Sequence, residues 1–170
     1  GSGTWGLAAN WNPMNVPNTI GEDAVLGGVA AYTVSLSDTP PTGVSIGSLQ
    51  VTNSAAVVSI EAVRSLGLSA ASINNGLILL NPQMAAGSAT LIFNQSATLG
   101  GSGEVRLVTN GTGSRFNVAN GFTATHGPNH TIRGVGQIQG SLINNGTILA
   151  DTSVAQAGFP LVLTLFPVLN

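Results

Sequence analysis

The apolar residues of this chain come in short runs, and nearly every run is cut by Gly, Asn, Pro or Ser. That punctuation constrains the fold more than any single motif. An amphipathic helix needs apolar positions at i, i+3 and i+4 sustained over about eleven residues or more. One stretch, "SIEAVRSLGL" at 59–68, approaches that pattern, and it reads equally well as strand. Short alternating runs bounded by turn residues are the signal for strands. They predict strands near residues 32–37, 45–51, 56–60, 76–80, 89–93, 104–108, 115–118, 131–133, 137–139, 146–149 and 160–165. Many short strands without helical crossovers predict an all-β chain.

Repetition chooses among all-β architectures. "INNGLIL" at 73–79 returns as "INNGTIL" at 143–149, a spacing of 70 residues. Three coils of about 23 residues give that spacing, within the range of solenoid repeats. A second echo pairs "TLGGSGEV" at 98–105 with "TIRGVGQI" at 131–138. Its spacing of 33 fits one coil carrying a longer loop, for which "ATHGPNH" at 124–130 is the candidate. In a solenoid, coils stack about 4.8 Å apart through parallel ladders. Tight corners between strands suit Gly and Asn, which tolerate positive φ. "NNG" is then a corner and "LIL" or "TIL" the strand that leaves it. Stacked Asn side chains can bond along the axis. The expectation is a parallel β-helix (β-solenoid) of about 20–25 residues per coil, in one domain. Residues 1–30 form an N-terminal cap region, 31–157 the coils, and 158–170 an apolar terminal strand. That last strand carries no polar cap, so the sequence predicts an end that continues into further coils or is covered by another chain, with self-association as one route.

Composition removes several function classes. Charged residues are 6% of the chain, against about 25% in an average soluble domain. The cations are Arg64, Arg106, Arg115 and Arg133, and the net charge is −2. Nucleic acid as a partner requires more positive charge than this. The most apolar run, 158–169, is too short for a spanning helix and holds two prolines, so no membrane span is expected. Without cysteine there are no disulfides and no thiolate chemistry.

The opening segment "GTWGLAANWNPMNVPNTIGEDAVL" carries Trp5, Asn10-Trp11, Pro17 and Asp23-Ala24. In that pattern it resembles bacterial secreted β-helix proteins of the autotransporter-passenger and pectin-lyase-like type. "YTVSLSDTPPTGVSIGSLQVTNSAAVVSI" is similar to their first coils and "HTIRGVGQIQGSLINNGTILAD" to their later ones. The resemblance implies a right-handed, single-stranded β-helix placed outside the cell or on its surface. It implies no single activity, since the architecture serves adhesins, spacers, lyases and hydrolases.

Candidate chemistry is sparse. "GVSIG" at 43–47 matches the nucleophile-elbow pattern G-x-S-x-G. It nominates Ser45 as nucleophile, His126 or His130 as base and Asp151 as orienter, although the chain order differs from that of α/β-hydrolases. As plain strand, the same letters put Ser45 outward. His126 and His130 stand at i, i+4, but Gly127-Pro128 forbids the helix that would make this a zinc pair. A loop could still converge them; otherwise they are solvated loop histidines. Calcium is the candidate cofactor, with Glu104 and Asp151 as carboxylate ligands. Asp23 and Asp38 read as turn residues. "NQS", "NGT", "NHT" and "NGT" at Asn94, Asn110, Asn129 and Asn145 match glycosylation sequons and read as turn chemistry. Trp5 and Trp11 read first as a cap over the open core, and second as a stacking surface for a sugar. The leading expectation is an extracellular or cell-surface structural or adhesive module, with carbohydrate or a neighbouring surface protein as partner. The alternative is a small β-helix hydrolase or lyase, calcium-assisted, acting on a polysaccharide or a small ester or lactone.

Overall fold

The computed structural model describes residues 1–37, 42–108, 113–151 and 161–165. Strands β1 (Gly3–Thr4) and β2 (Ala24–Leu26) begin the stack, with one 3-10 turn at Ala8–Asn10 between them. The first full coil is β3 (Tyr32–Leu36), β4 (Gly43–Ile46) and β5 (Leu49–Val51). The second is β6 (Ala56–Ile60), β7 (Ser65–Leu68) and β8 (Ser72–Asn74). The third is β9 (Leu77–Leu80), β10 (Ala89–Phe93) and β11 (Ala97–Gly100). The fourth is β12 (Glu104–Leu107), β13 (Ser114–Val118) and β14 (Thr123–His126). The fifth is β15 (Thr131–Gly134) and the long β16 (Gly136–Asn144), which serves two faces in turn. β17 (Thr147–Ala150) and β18 (Leu161–Leu165) lie on its far side.

Corresponding strands pair in parallel, so the chain is a three-faced β-solenoid of about five turns. The first face is the ladder β1-β3-β6-β9-β12-β15-β17. The second holds β4, β7, β10, β13, the start of β16, and β18. The third holds β2, β5, β8, β11, β14 and the end of β16. No helix among the described residues is long and apolar enough to cross a membrane.

Alternation along each strand builds the core. Inward positions in register stack as columns: Leu36, Ile60, Leu80 and Leu107 on the first face, and Leu66, Leu91, Phe116 and Ile138 on the second. All are buried. Phe93 and Phe116, both fully buried, pack with centroids 5.5 Å apart. Trp5, fully buried, joins the core beside the first coil. Its indole N–H donates to the Pro17 carbonyl at 2.9 Å.

The structure corrects several details. Of the two readings for residues 59–68, the structure takes the strand one: Ser59–Ile60 end β6, a turn follows, and Ser65–Leu68 form β7. Strands β8, β11 and β14 fall where no strand was expected, because small and polar residues (Ser72, Asn74, Thr98, Thr125) sit in their ladders. The coils are also uneven. Tyr32 pairs with Ala56, Val57 with Leu77, Leu77 with Glu104, Glu104 with Thr131, and Thr131 with Thr147, giving steps of 24, 20, 27, 27 and 16 residues. The spacing of 70 between the "INNG" copies is thus three coils, two long and one short. The echo at 33 is not a coil step. Thr98 lies on the third face and Thr131 on the first, so the two copies turn different corners. They look alike because both corners place a glycine at positive φ, Gly101 at 101° and Gly134 at 117°. The "ATHGPNH" segment is no long loop: its first residues are strand β14. Asp38, Asn110 and most of 158–170 lie outside the described residues.

Gly101 yields a test. A Cβ there would run into the Asn74 carbonyl of the coil below. Gly121 also has positive φ, at 85°, but faces open space. Gly121→Ala should therefore cost the conformational strain alone, about 1–2 kcal/mol, whereas Gly101→Ala should cost about 3 kcal/mol or more because backbone must move. Thermal melting followed by circular dichroism separates them. Equal melting temperatures would mean that the coil spacing at this corner is soft.

Candidate functional site

The expected catalytic set is not assembled. Ser45 lies on the outer side of β4, where its hydroxyl accepts from the Asn94 amide at 3.4 Å. His126 lies in β14, three coils further along and on another face. Three coils are about 14 Å along the axis. The G-x-S-x-G letters are simply a strand and its following corner, as the plain reading has it. Asp151 faces Arg133 at 3.5 Å, not a histidine.

The expected calcium carboxylates are likewise taken. Glu104 Oε1 meets Arg106 Nε at 2.5 Å and Arg133 Nε at 3.2 Å. Arg106 and Arg133 are register neighbours in β12 and β15. Guanidinium groups thus occupy the space in front of both Glu104 and Asp151. Among the described residues, no group of three or more His, Asp or Glu side chains could hold a metal ion.

The histidines depart most from expectation. They are not solvated: His126 and His130 are both 0% exposed. They sit where the third face turns into the first. Strand alternation points His126 inward, in the column that carries Leu49, Ser72 and Leu99 below it and Asn144 beyond it. The short corner at 127–130 then folds His130 back against it, ring centroids 5.1 Å apart and nearly perpendicular.

Four side chains join into one relay. Asn74 Nδ2 lies 3.0 Å from His130 Nε2. His130 Nδ1 lies 3.0 Å from His126 Nε2. His126 Nδ1 lies 2.6 Å from Asn144 Oδ1. At the ends, Asn74 Oδ1 accepts the Gly76 N–H at 3.1 Å, and Asn144 Nδ2 donates to the Gly146 carbonyl at 3.2 Å. These end bonds fix the direction of every other bond. Asn144 Oδ1 can only accept, so His126 carries its proton on Nδ1. His126 Nε2 is then an acceptor, and His130 donates from its own Nδ1. His130 Nε2 accepts from Asn74. Both imidazoles are neutral and fully satisfied, which is what a buried polar chain needs to avoid a net cost.

Gly146 closes the relay. A Cβ there would meet His126 Cε1 at 2.6 Å and the His130 carbonyl at 2.5 Å. Asn74 and Asn144 are the first asparagines of the two "INNG" copies. The repeat therefore supplies both ends of the relay, a role the sequence reading missed when it assigned these letters to corners alone. The signal was available: polar residues with strand neighbours on both sides must find partners inside.

Neutrality follows from the environment. Burial holds the His126 imidazole below its ordinary value, against the opposing pull of the Asn144 bond. Burial, with His126 beside it, pushes His130 down to about 4. A protonated ring here would also turn one donor toward another. No protein-family model, no curated protein and no solved structure matches the chain.

Protons thus oppose folding. Both folded values lie below the unfolded one, so the unfolded chain binds more protons as pH falls. The relay's contribution is whole above about pH 6.5 and is lost progressively as the pH falls to about 4. For His130 the difference is on the order of 3 kcal/mol. The expected result is a urea midpoint that falls steadily over this window. Imidazole nitrogen shifts should report the Nδ1–H tautomer for both rings at pH 7. Titration of either ring near its ordinary value in the folded state would contradict the relay.

Proposed function

We propose that the chain is a stiff solenoid module of the extracellular or cell-surface kind, structural or adhesive in role and without catalysis. The observation that carries this reading is the use made of its histidines. The sequence holds two, and both are sealed between coils with every ring nitrogen bonded. Ser45, Glu104 and Asp151 are each bound to neighbours that are no part of a catalytic set. The parallel ladders supply stiffness, and the Asn, Ser and Thr rows supply neutral polar contacts. The N-terminal pattern around Trp5, Trp11 and Asp23 supports this reading through its resemblance to secreted β-helix proteins of the autotransporter-passenger and pectin-lyase-like type.

Two measurements test this. Beads coated with the protein should be retained on surfaces bearing polysaccharide or bacterial cell envelope, more than beads coated with albumin. Loss of that difference would remove the adhesive role. The protein should also hydrolyse p-nitrophenyl acetate and cleave pectin no faster than a Ser45→Ala variant, with or without calcium. Turnover that disappears in Ser45→Ala would restore the hydrolase.

A further inference from the structure

A cavity of about 490 Å³ opens at the N-terminal end of the solenoid, inside the size range of small-molecule sites. Trp11 and Tyr32 supply its aromatic wall, and Asn10, Asn12, Glu22 and Asp23 are among its polar lining. Both rings are anchored by their polar ends. The Trp11 indole N–H donates to the Trp5 carbonyl at 2.7 Å, and its ring packs edge-on against Trp5 with centroids 4.9 Å apart. The Tyr32 hydroxyl donates to the Gly27 carbonyl at 2.9 Å. With those donors used internally, the rings offer apolar surface in fixed orientation. Holding them costs a ligand no ordering entropy.

Charge narrows the ligand. None of the four arginines lines this cavity, while two carboxylates do. An anion would meet both carboxylates and no arginine. A lone cation is also poorly matched, because Glu22 is already compensated: its oxygens take the Asn15 amide at 2.6 Å and the backbone N–H groups of Asn18 and Thr19 at 2.9 and 3.1 Å. What remains is a mixed set of amide and carboxylate oxygens and amide N–H groups. Asn12 offers a donor and an acceptor. Asn10, whose Nδ2 goes to the Thr4 carbonyl, keeps its oxygen. Asp23 Oδ1 accepts the Ser48 N–H at 2.7 Å, which leaves the second oxygen for a ligand. Hydroxyl groups, which both donate and accept, fit that inventory. The C–H face of a sugar ring fits an aromatic wall.

We propose that this end cavity binds a neutral saccharide, stacked on Trp11 and Tyr32 and held through its hydroxyls by Asn10, Asn12 and Asp23. The assignment deepens the adhesive reading and rests on it. It places recognition beside the first coils and leaves the later lateral faces for stacking and spacing.

The test uses cellobiose, maltose and N,N′-diacetylchitobiose as probes. Trp5 is 0% exposed, so acrylamide quenching of indole fluorescence reports Trp11. At least one disaccharide should cut that quenching about twofold and give a calorimetric Kd between about 1 μM and 1 mM. Trp11→Ala should weaken binding tenfold or more. Should that variant fail to fold, Asn12→Ala, on an exposed loop, should weaken it severalfold. Ser45→Ala, on the second face, should bind as the parent does. No protection by any probe at about 50 mM, or protection by tetramethylammonium or sulfate instead of saccharide, would overturn the proposal. Bead adhesion without cavity binding would overturn this site and keep the adhesive reading. Cavity binding without bead adhesion would do the reverse.

Discussion

Each coil of this solenoid leaves backbone N–H and C=O groups pointing along the axis, and the next coil is what takes them up. Buried backbone groups cannot go unpaired without cost, so strand spacing is fixed at about 4.8 Å and everything else adapts to it. A side chain on one strand meets its register partner on the next, not a varied neighbourhood. Inward positions therefore become columns of similar residues, such as Val58, Ile78, Val105 and Ile132. Corners become places where backbone passes close to backbone. At Gly76, Gly103 and Gly146 a Cβ would strike a carbonyl oxygen of the preceding coil. Gly101, Gly134, Gly136 and Gly140 meet the same requirement.

The same geometry explains the polar seam where the third face meets the first. Asn53 and Asn74 each fold a side-chain oxygen back onto the backbone N–H two residues on, at 2.9 and 3.1 Å. Asn53 also donates to the Ala30 carbonyl at 2.7 Å, and Asn74 to that of Glu104 at 3.0 Å. Each asparagine thus replaces hydrogen bonds that a turning strand has to give up. In the fourth coil His126 and His130 do similar work with longer side chains. They span the gap between Asn74 and Asn144, so the seam stays bonded across a stretch where coil length drops from 27 to 16 residues. Imidazole suits that position because, when neutral, it presents one donor and one acceptor on opposite sides.

Much of this was legible in the letters. Alternation located β3, β6, β9, β10, β12 and β13 nearly to the residue, since their inward positions are large and aliphatic. Repetition of "INNG" gave the coil count between its copies. The third face was harder to read. Its strands carry Ser72, Asn74 and His126, which are buried against partners supplied by other coils. No window of eleven residues contains that information. For the same reason the histidines were read as loop residues: Gly127-Pro128 correctly excluded a helix, but nothing local shows that a strand ends at His126. Among the candidate site residues, Glu104 stands two positions from Arg106 on the same strand, and the two pair. The arrival of Arg133 from the next coil required the register.

That arrival bears on the composition. Stacking puts like residues in register, so a charge repeated along a column faces itself at about 4.8 Å, with a repulsion of about 1 kcal/mol in water and about 3–4 kcal/mol at an effective dielectric of 20. Arg106 and Arg133 stand in that relation. They are tolerated because Glu104 lies within ion-pair distance of both and Asp151 takes the outer side of Arg133. A lateral surface built from such units would need a carboxylate threaded between every pair of cations. A surface of Ser, Thr, Asn and Gln needs none, and its side chains can bond along the column, as Thr123 does with Ser141 at 3.1 Å. The 6% charge is therefore a consequence of the parallel ladder, and it leaves this rod with faces that discriminate by hydrogen bonding and shape more than by electrostatic attraction.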